Sequence, residues 1–214
     1  MRMAFCSCAA LLLLPAPAAV LAQDGSEATA LVGRLGQFQA EIDGRTQGRT
    51  GQRMPVEQRR EAIYVRLRIL GGGAIPALRQ GLTAPNVQVR RNVALYLAFE
   101  GGNYAKHADA ALDVTPFVPQ LVVALRDEDE RVIALAAQAL AHAGSNAAIA
   151  VADLVRPLEH GGEGLRNSAC IGLAGIGPAA RQALPVLRRA LDDPSHDVRR
   201  FAQRAIDKIQ PAKP

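Results

Sequence analysis

Apolar residues recur along this chain in one figure, repeated at fixed steps. Val118, Leu121 and Leu125 are followed by Val132, Ala136, Ala139, Leu140 and Gly144. A step of 33 residues reaches Val151, Leu154, Leu158, Leu165, Ala169, Gly172, Leu173 and Gly177 in the same places. A second step of 33 reaches Leu184, Leu187, Leu191, Val198, Ala202, Ala205 and Ile206. A backward step of 43 reaches Ile75, Leu78, Leu82, Val89, Val93, Tyr96, Leu97 and Gly101. Four copies of one pattern predict a solenoid, in which each unit buries its apolar face against its neighbours.

Each copy reads as a helical hairpin. Val118, Leu121, Val122 and Leu125 fall three and four residues apart, the stripe of an amphipathic helix. Polar breaks follow, Asp127-Glu128-Asp129 in one copy and Asp192-Asp193-Pro194-Ser195 in another, whose Asp and Ser side chains suit an N-cap. The second helix is expected from about Glu130 to Ala143, with Val132, Leu135, Ala136, Ala139 and Leu140 on one face. Gly101, Gly144 and Gly177 are expected to close second helices in a left-handed conformation. Small residues at Ala136, Ala169 and Ala202, and at Ala139, Gly172 and Ala205, let neighbouring helices approach closely. No stretch alternates with period two, so the expected fold class is all-α: an α-α superhelix of about four hairpins with an N-terminal capping helix.

Upstream of the copies, Pro55 to Gly71 resembles a lone second helix through Ile63, Leu67 and Leu70, and an offset of 30 sets Leu67 on Leu97. Ala28 to Ile42 reads as the capping helix through Leu31, Leu35, Phe38 and Ile42, with Asp43 to Arg53 a flexible connector. At the start, Arg2, the apolar run Ala9 to Leu14 and the small-residue stretch Val20-Leu21-Ala22 have the layout of a secretory signal cut before Gln23. Pro15 and Pro17 break the run too early for a membrane span. The expected organisation is a signal peptide over 1–22, a helix and linker over 23–54, a repeat domain over 55–210 and a tail over 211–214.

Export changes the cysteine count. Cys6 and Cys8 leave with the signal, so Cys170 has no disulfide partner in a periplasmic or secreted protein and stability rests on packing. A formal net charge of +5 over 25 basic and 20 acidic residues describes a mixed surface. That balance favours solubility and leads us to expect neither nucleic acid as a partner nor stable membrane insertion after signal cleavage.

The sequence Leu184-Pro185-Val186-Leu187, then Asp192 to Arg200, then an Ala-rich helix resembles HEAT repeats, most nearly the short bacterial kind grouped with phycobilin lyases. The likeness spans roughly 55 to 210 and is strongest from 115 onward. Its motif, Asp-x-Pro-x-x-x-Val-Arg, implies a ladder of arginines across repeats at Arg90, Arg166 and Arg199, interrupted by Ile133. The resemblance also implies that second helices line a concave side where partners bind.

Candidate contacts follow from these two readings. Arg90, Arg166 and Arg199 suit a register-holding role through acids or carbonyls in neighbouring turns. Arg91, Arg131, Arg200 and Arg204 suit partner binding, because a guanidinium grips carboxylates with two parallel bonds. The stretch Gly101 to Val114 carries the ten-residue excess of the first step and brings Tyr104 and His107, and Tyr96 stands where other copies have Ala or Gly. Tyr96 either fills a packing gap or joins the insertion in a binding patch. With aromatics scarce, Tyr64, Tyr96 and Tyr104 are the candidate contact anchors. Cys170 reads as a small semi-buried core residue, with a reactive thiol or an intermolecular disulfide as the alternative.

His107, His142, His160 and His196 lack ligand spacing, and no nucleophile elbow, phosphate loop or His-based triad is present, so no cofactor, metal or catalytic residue is expected. The expected function is an exported, noncatalytic module that holds another protein on a curved helical surface. A HEAT-like nucleic-acid binder and a lyase-type factor are the alternatives.

Overall fold

The computed structural model describes residues 17–37, 56–101 and 112–211. Ten α-helices carry the chain there: α1 Pro17–Leu35, α2 Val56–Leu70, α3 Ile75–Leu82, α4 Val87–Glu100, α5 Val118–Ala124, α6 Glu130–His142, α7 Val151–His160, α8 Glu163–Ile176, α9 Leu184–Arg189 and α10 His196–Ile209. No strand occurs among the described residues. The hairpins α3–α4, α5–α6, α7–α8 and α9–α10 are the four copies read from the sequence. Second helices pack in series, α4 on α6, α6 on α8 and α8 on α10. One core runs the length of the stack through Leu78, Leu97, Leu121, Leu140, Leu154, Leu173 and Leu187, all buried.

The hairpin turns follow their polar breaks. Asn86, Asp129 and Ser195 each accept a hydrogen bond from the backbone two or three residues on and start α4, α6 and α10. The third copy has Gly162 at this place and no side-chain cap. The chain enters α3, α7 and α9 through short 3₁₀ segments that begin at glycines with φ of +51° at Gly71, +57° at Gly144 and +67° at Gly177, and enters α5 through another, Thr115–Phe117. Gly101 differs from the expected left-handed end. Its φ is −71°, and it is small because a Cβ there would lie 2.5 Å from Val114.

The capping helix is present with shifted bounds. It starts at Pro17, not Ala28, and ends at Leu35; Phe38, Ile42 and the connector lie outside the described residues. Ala28, Leu31, Val32 and Leu35 are buried against the first hairpin. The end at Leu35 is imposed by docking. Asn92 Nδ2 donates to the Leu35 carbonyl at 3.1 Å, and Gly36 presses so close to Asn86 and Val89 that a Cβ would sit 2.8 Å from each. Arg66 grips Glu27 with two bonds, at 2.6 and 3.0 Å, tying α2 to α1.

Candidate interaction surface

The arginine ladder is a set of clamps between repeats. Arg90 directs one edge of its guanidinium at Asp127 of the next unit, at 2.6 and 3.0 Å, and donates from Nη1 to the Ala84 and Pro85 carbonyls of its own turn. Arg166 repeats the arrangement with Asp193, at 2.7 and 2.9 Å, and the Gly161 carbonyl. Arg199 holds the Asp193 and Pro194 carbonyls. Where Ile133 breaks the arginine series, His160 stands in the place of Asp127 and Asp193, so donor and acceptor are replaced together. Across that junction Arg126 reaches Asp153 at 2.7 and 3.1 Å on the first-helix side.

These pairs set a pH dependence. The bond from Arg166 holds the Asp193 carboxyl below its ordinary range, and the bond from Arg91 does the same for Asp129. Their stabilisation is complete above the ordinary carboxylate pKa and is lost as pH falls through the lower folded values. Asp193→Asn should destabilise the fold by roughly 1–2 kcal/mol at pH 7, between the values for exposed and buried pairs. Urea midpoints at pH 7 and pH 3 check this: the gap between variant and parent should narrow at pH 3, and an unchanged gap would contradict the assignment.

The structure distributes the candidate contact residues unevenly. Arg91 is engaged by Asp129 of the next repeat, a further cross-repeat pair that the sequence reading did not anticipate. Arg131 is exposed at the start of α6. Arg200 is exposed on α10, 3.1 Å from Asp197 and over the Phe201 ring, and Arg204 is exposed one turn on. Tyr64 and Tyr96 are not surface anchors in this fold. They are 5% and 1% exposed, pack against each other in a tilted pair with ring centroids 5.0 Å apart, and Tyr64 donates to the Asn92 carbonyl at 2.9 Å. The two rings fill the space between α2 and α4, which is why a Tyr stands at a position that holds Ala or Gly in later copies. Tyr104 and His107 lie outside the described residues. Cys170 is buried, and burial pushes its thiol up to about 12, so it is a core residue and not a reactive thiol.

What the structure does bring together is a cleft of about 320 Å³ on the second-helix face. Arg60 of α2, Arg91 of α4 and Arg131 of α6 line it, with Leu95, Ala134 and Leu135 among its apolar lining. Arg60 and Arg131 have no ion-pair partner among the described residues. Further along the same two helices lies an apolar cavity of about 410 Å³, lined by Ala98, Phe99, Gln138, His142 and Ile171. Phe99 is 53% exposed there. Arg60, Leu95, Phe99 and Ile171 were not singled out from sequence. Arg60 had a usable signal, because the offset that sets Leu67 on Leu97 also sets Arg60 on Arg90. Among the described residues no group of three or more His, Cys, Asp or Glu side chains converges to hold a metal ion.

The family description for HEAT repeats matches residues 75–156. No curated protein matches the chain by sequence. An engineered protein of known structure superposes with a TM-score of 0.57 at 21% identity, over 94% of this chain and 96% of its own. A designed armadillo repeat protein crystallised with the peptide (KR)4 gives 0.55 at 18% identity, over 89% of this chain and 90% of its own. A computationally designed armadillo repeat protein for modular peptide recognition gives 0.55 at 20%, over 89% and 81%. The chain is thus similar in architecture to helical repeat proteins, and its fold is an all-α solenoid of HEAT/armadillo type.

Proposed function

We propose that this protein is an exported, noncatalytic scaffold that holds another protein on its second-helix face. The observation that carries the reading is the cleft between α2, α4 and α6, where two arginines without ion-pair partners among the described residues flank an apolar floor. Arg90, Arg126 and Arg166 by contrast are committed to acids of neighbouring repeats, so two arginines unpaired among the described residues beside half-buried apolar side chains mark a surface left available. The similar designed proteins, described by their peptide recognition, support an extended segment as the form of the partner. Export rests on the signal-like layout of residues 1–22 in the sequence. Kinship with the short bacterial HEAT proteins rests on the Asp-x-Pro-x-x-x-Val-Arg motif, and no lyase chemistry is proposed with it.

Site-specific photo-crosslinking in the native host tests the reading. A crosslinker placed at Leu135, in the cleft, should capture a defined protein, identified by mass spectrometry from the periplasm or medium. One placed at Val123, 60% exposed on a first helix, should not. Equal capture from both positions, or none from Leu135, would count against the proposal.

A further inference from the structure

The two hollows on the second-helix face differ in chemistry and lie on one line. Along α4 the order is Gln88, Arg91, Leu95, Phe99; along α6 it is Arg131, Leu135, Gln138, His142, so both stripes advance by three or four residues on one helix face. Both helices start at the arginine end, α4 capped by Asn86 and α6 by Asp129. The far end, between Phe99 and Ile171, offers apolar surface, with His142 its one titratable lining group. His142 Nε2 donates to the Ala98 carbonyl at 3.0 Å and so is held against α4.

We infer that this groove takes an extended peptide with a carboxylate at one end and a large apolar side chain about five residues away, a ligand chemistry that rests on the scaffold reading above. The spacing comes from helix geometry. Arg131 and His142 are eleven positions apart, which at 1.5 Å per residue is about 16 Å, or about five residues of extended chain. The carboxylate sits between Arg60 and Arg131; Arg91 contributes less because Asp129 already occupies its guanidinium edge. The peptide body crosses Leu95 and Leu135, and the apolar side chain enters beside Phe99 and Ile171. A nucleic-acid strand fits poorly, because it would lay further phosphates along the Leu95–Phe99 stretch, where the described lining holds no Arg or Lys.

Fluorescence anisotropy with the purified protein tests this. The probe is a fluorescein-labelled Glu-Glu-Ser-Gly-Ser-Leu-Phe peptide. Its comparators are the same peptide with Lys-Lys for Glu-Glu, the same peptide with Ala-Ala for Leu-Phe, and a single-stranded oligothymidylate. The acidic–apolar peptide should bind at least tenfold more tightly than any of the three, the effect of about 1.4 kcal/mol. Arg60→Glu with Arg131→Glu should reverse the preference towards the Lys-Lys peptide, an outcome that a misfolded variant would not produce. Phe99→Ala should weaken the Leu-Phe peptide and leave the Ala-Ala peptide unchanged. Tighter binding of the oligonucleotide, no binding of the acidic peptide, or binding indifferent to the arginine reversal would overturn the inference. If the peptides fail while the Leu135 crosslink persists, the scaffold stands and only this ligand chemistry falls.

Discussion

Tyr96→Ala should cost the fold about 3–5 kcal/mol, the range for truncating a large buried aromatic side chain. The ring is 1% exposed, and it meets Tyr64 with centroids 5.0 Å apart and planes tilted by 51°. The loss has no easy relief. In later repeats Ala139, Gly172 and Ala205 occupy this place because the second helices there lie close, whereas α2 stands off from α4 and depends on the two rings to close the gap. Relaxation would require α2 to move, and α2 is tied to α1 through Arg66 and Glu27 and to α4 through Arg68 and Glu100. Because each unit of a solenoid is stabilised by its neighbours, the damage should stay at the N-terminal end. Hydrogen exchange should show α1 and α2 losing protection while α8 and α10 keep theirs. A uniform loss along the whole stack would mean that the tyrosine pair supports something other than this end.

The second large effect is at Gly175, where helix propensity and packing pull in opposite directions. Gly→Ala within a helix gains about 1 kcal/mol from propensity alone. At Gly175 a Cβ would lie 2.3 Å from the Ala141 carbonyl oxygen and 2.4 Å from its Cα, so α6 and α8 must separate. Backbone displaced in a packed interface costs about 1–3 kcal/mol, occasionally more. Because the clash here is with backbone and not with a flexible side chain, Gly175→Ala should be destabilising by about 2 kcal/mol net. Gly164→Ala is the matched control on the same helix, since a Cβ there meets nothing within 4 Å. It should be neutral to slightly stabilising. Denaturant midpoints should therefore fall for Gly175→Ala and hold or rise for Gly164→Ala, and a midpoint for Gly175→Ala that does not fall would show that the α6–α8 contact is looser than described.

Gly175 also shows where repeat logic stops. Its equivalents one step away are His142 and Lys208, so the sequence pattern marks the place as tolerant of large side chains. Between α4 and α6 the close approach is made by Gly101, whose Cβ would lie 3.1 Å from that of His142. Between α6 and α8 it is made from the other helix, by Gly175 against Ala141. Which member of each pair must be small depends on how two helices cross, and no periodicity along one helix carries that information.

The arginines divide in the same way. Their recurrence at Arg90, Arg166 and Arg199 was readable, and so was the gap at Ile133. That Arg91 would also be spent on a neighbouring repeat was not, because its partner Asp129 lies 38 residues away and serves at the same time as the N-cap of α6. Arg131 was already a candidate from its place at the start of a second helix, whereas Arg60 became one only when the fold set the two around one cleft.

By itself the sequence determined the helical hairpins, their register, most of their caps and the presence of a capping helix before them. These follow from apolar spacing and turn chemistry within a few residues, and such local preferences are readable in one dimension. Only the tertiary structure decided which cations are left without acids, which aromatic rings are hidden and which glycines are irreplaceable. Those properties depend on distances between helices, which are set when separate apolar faces close on a common core.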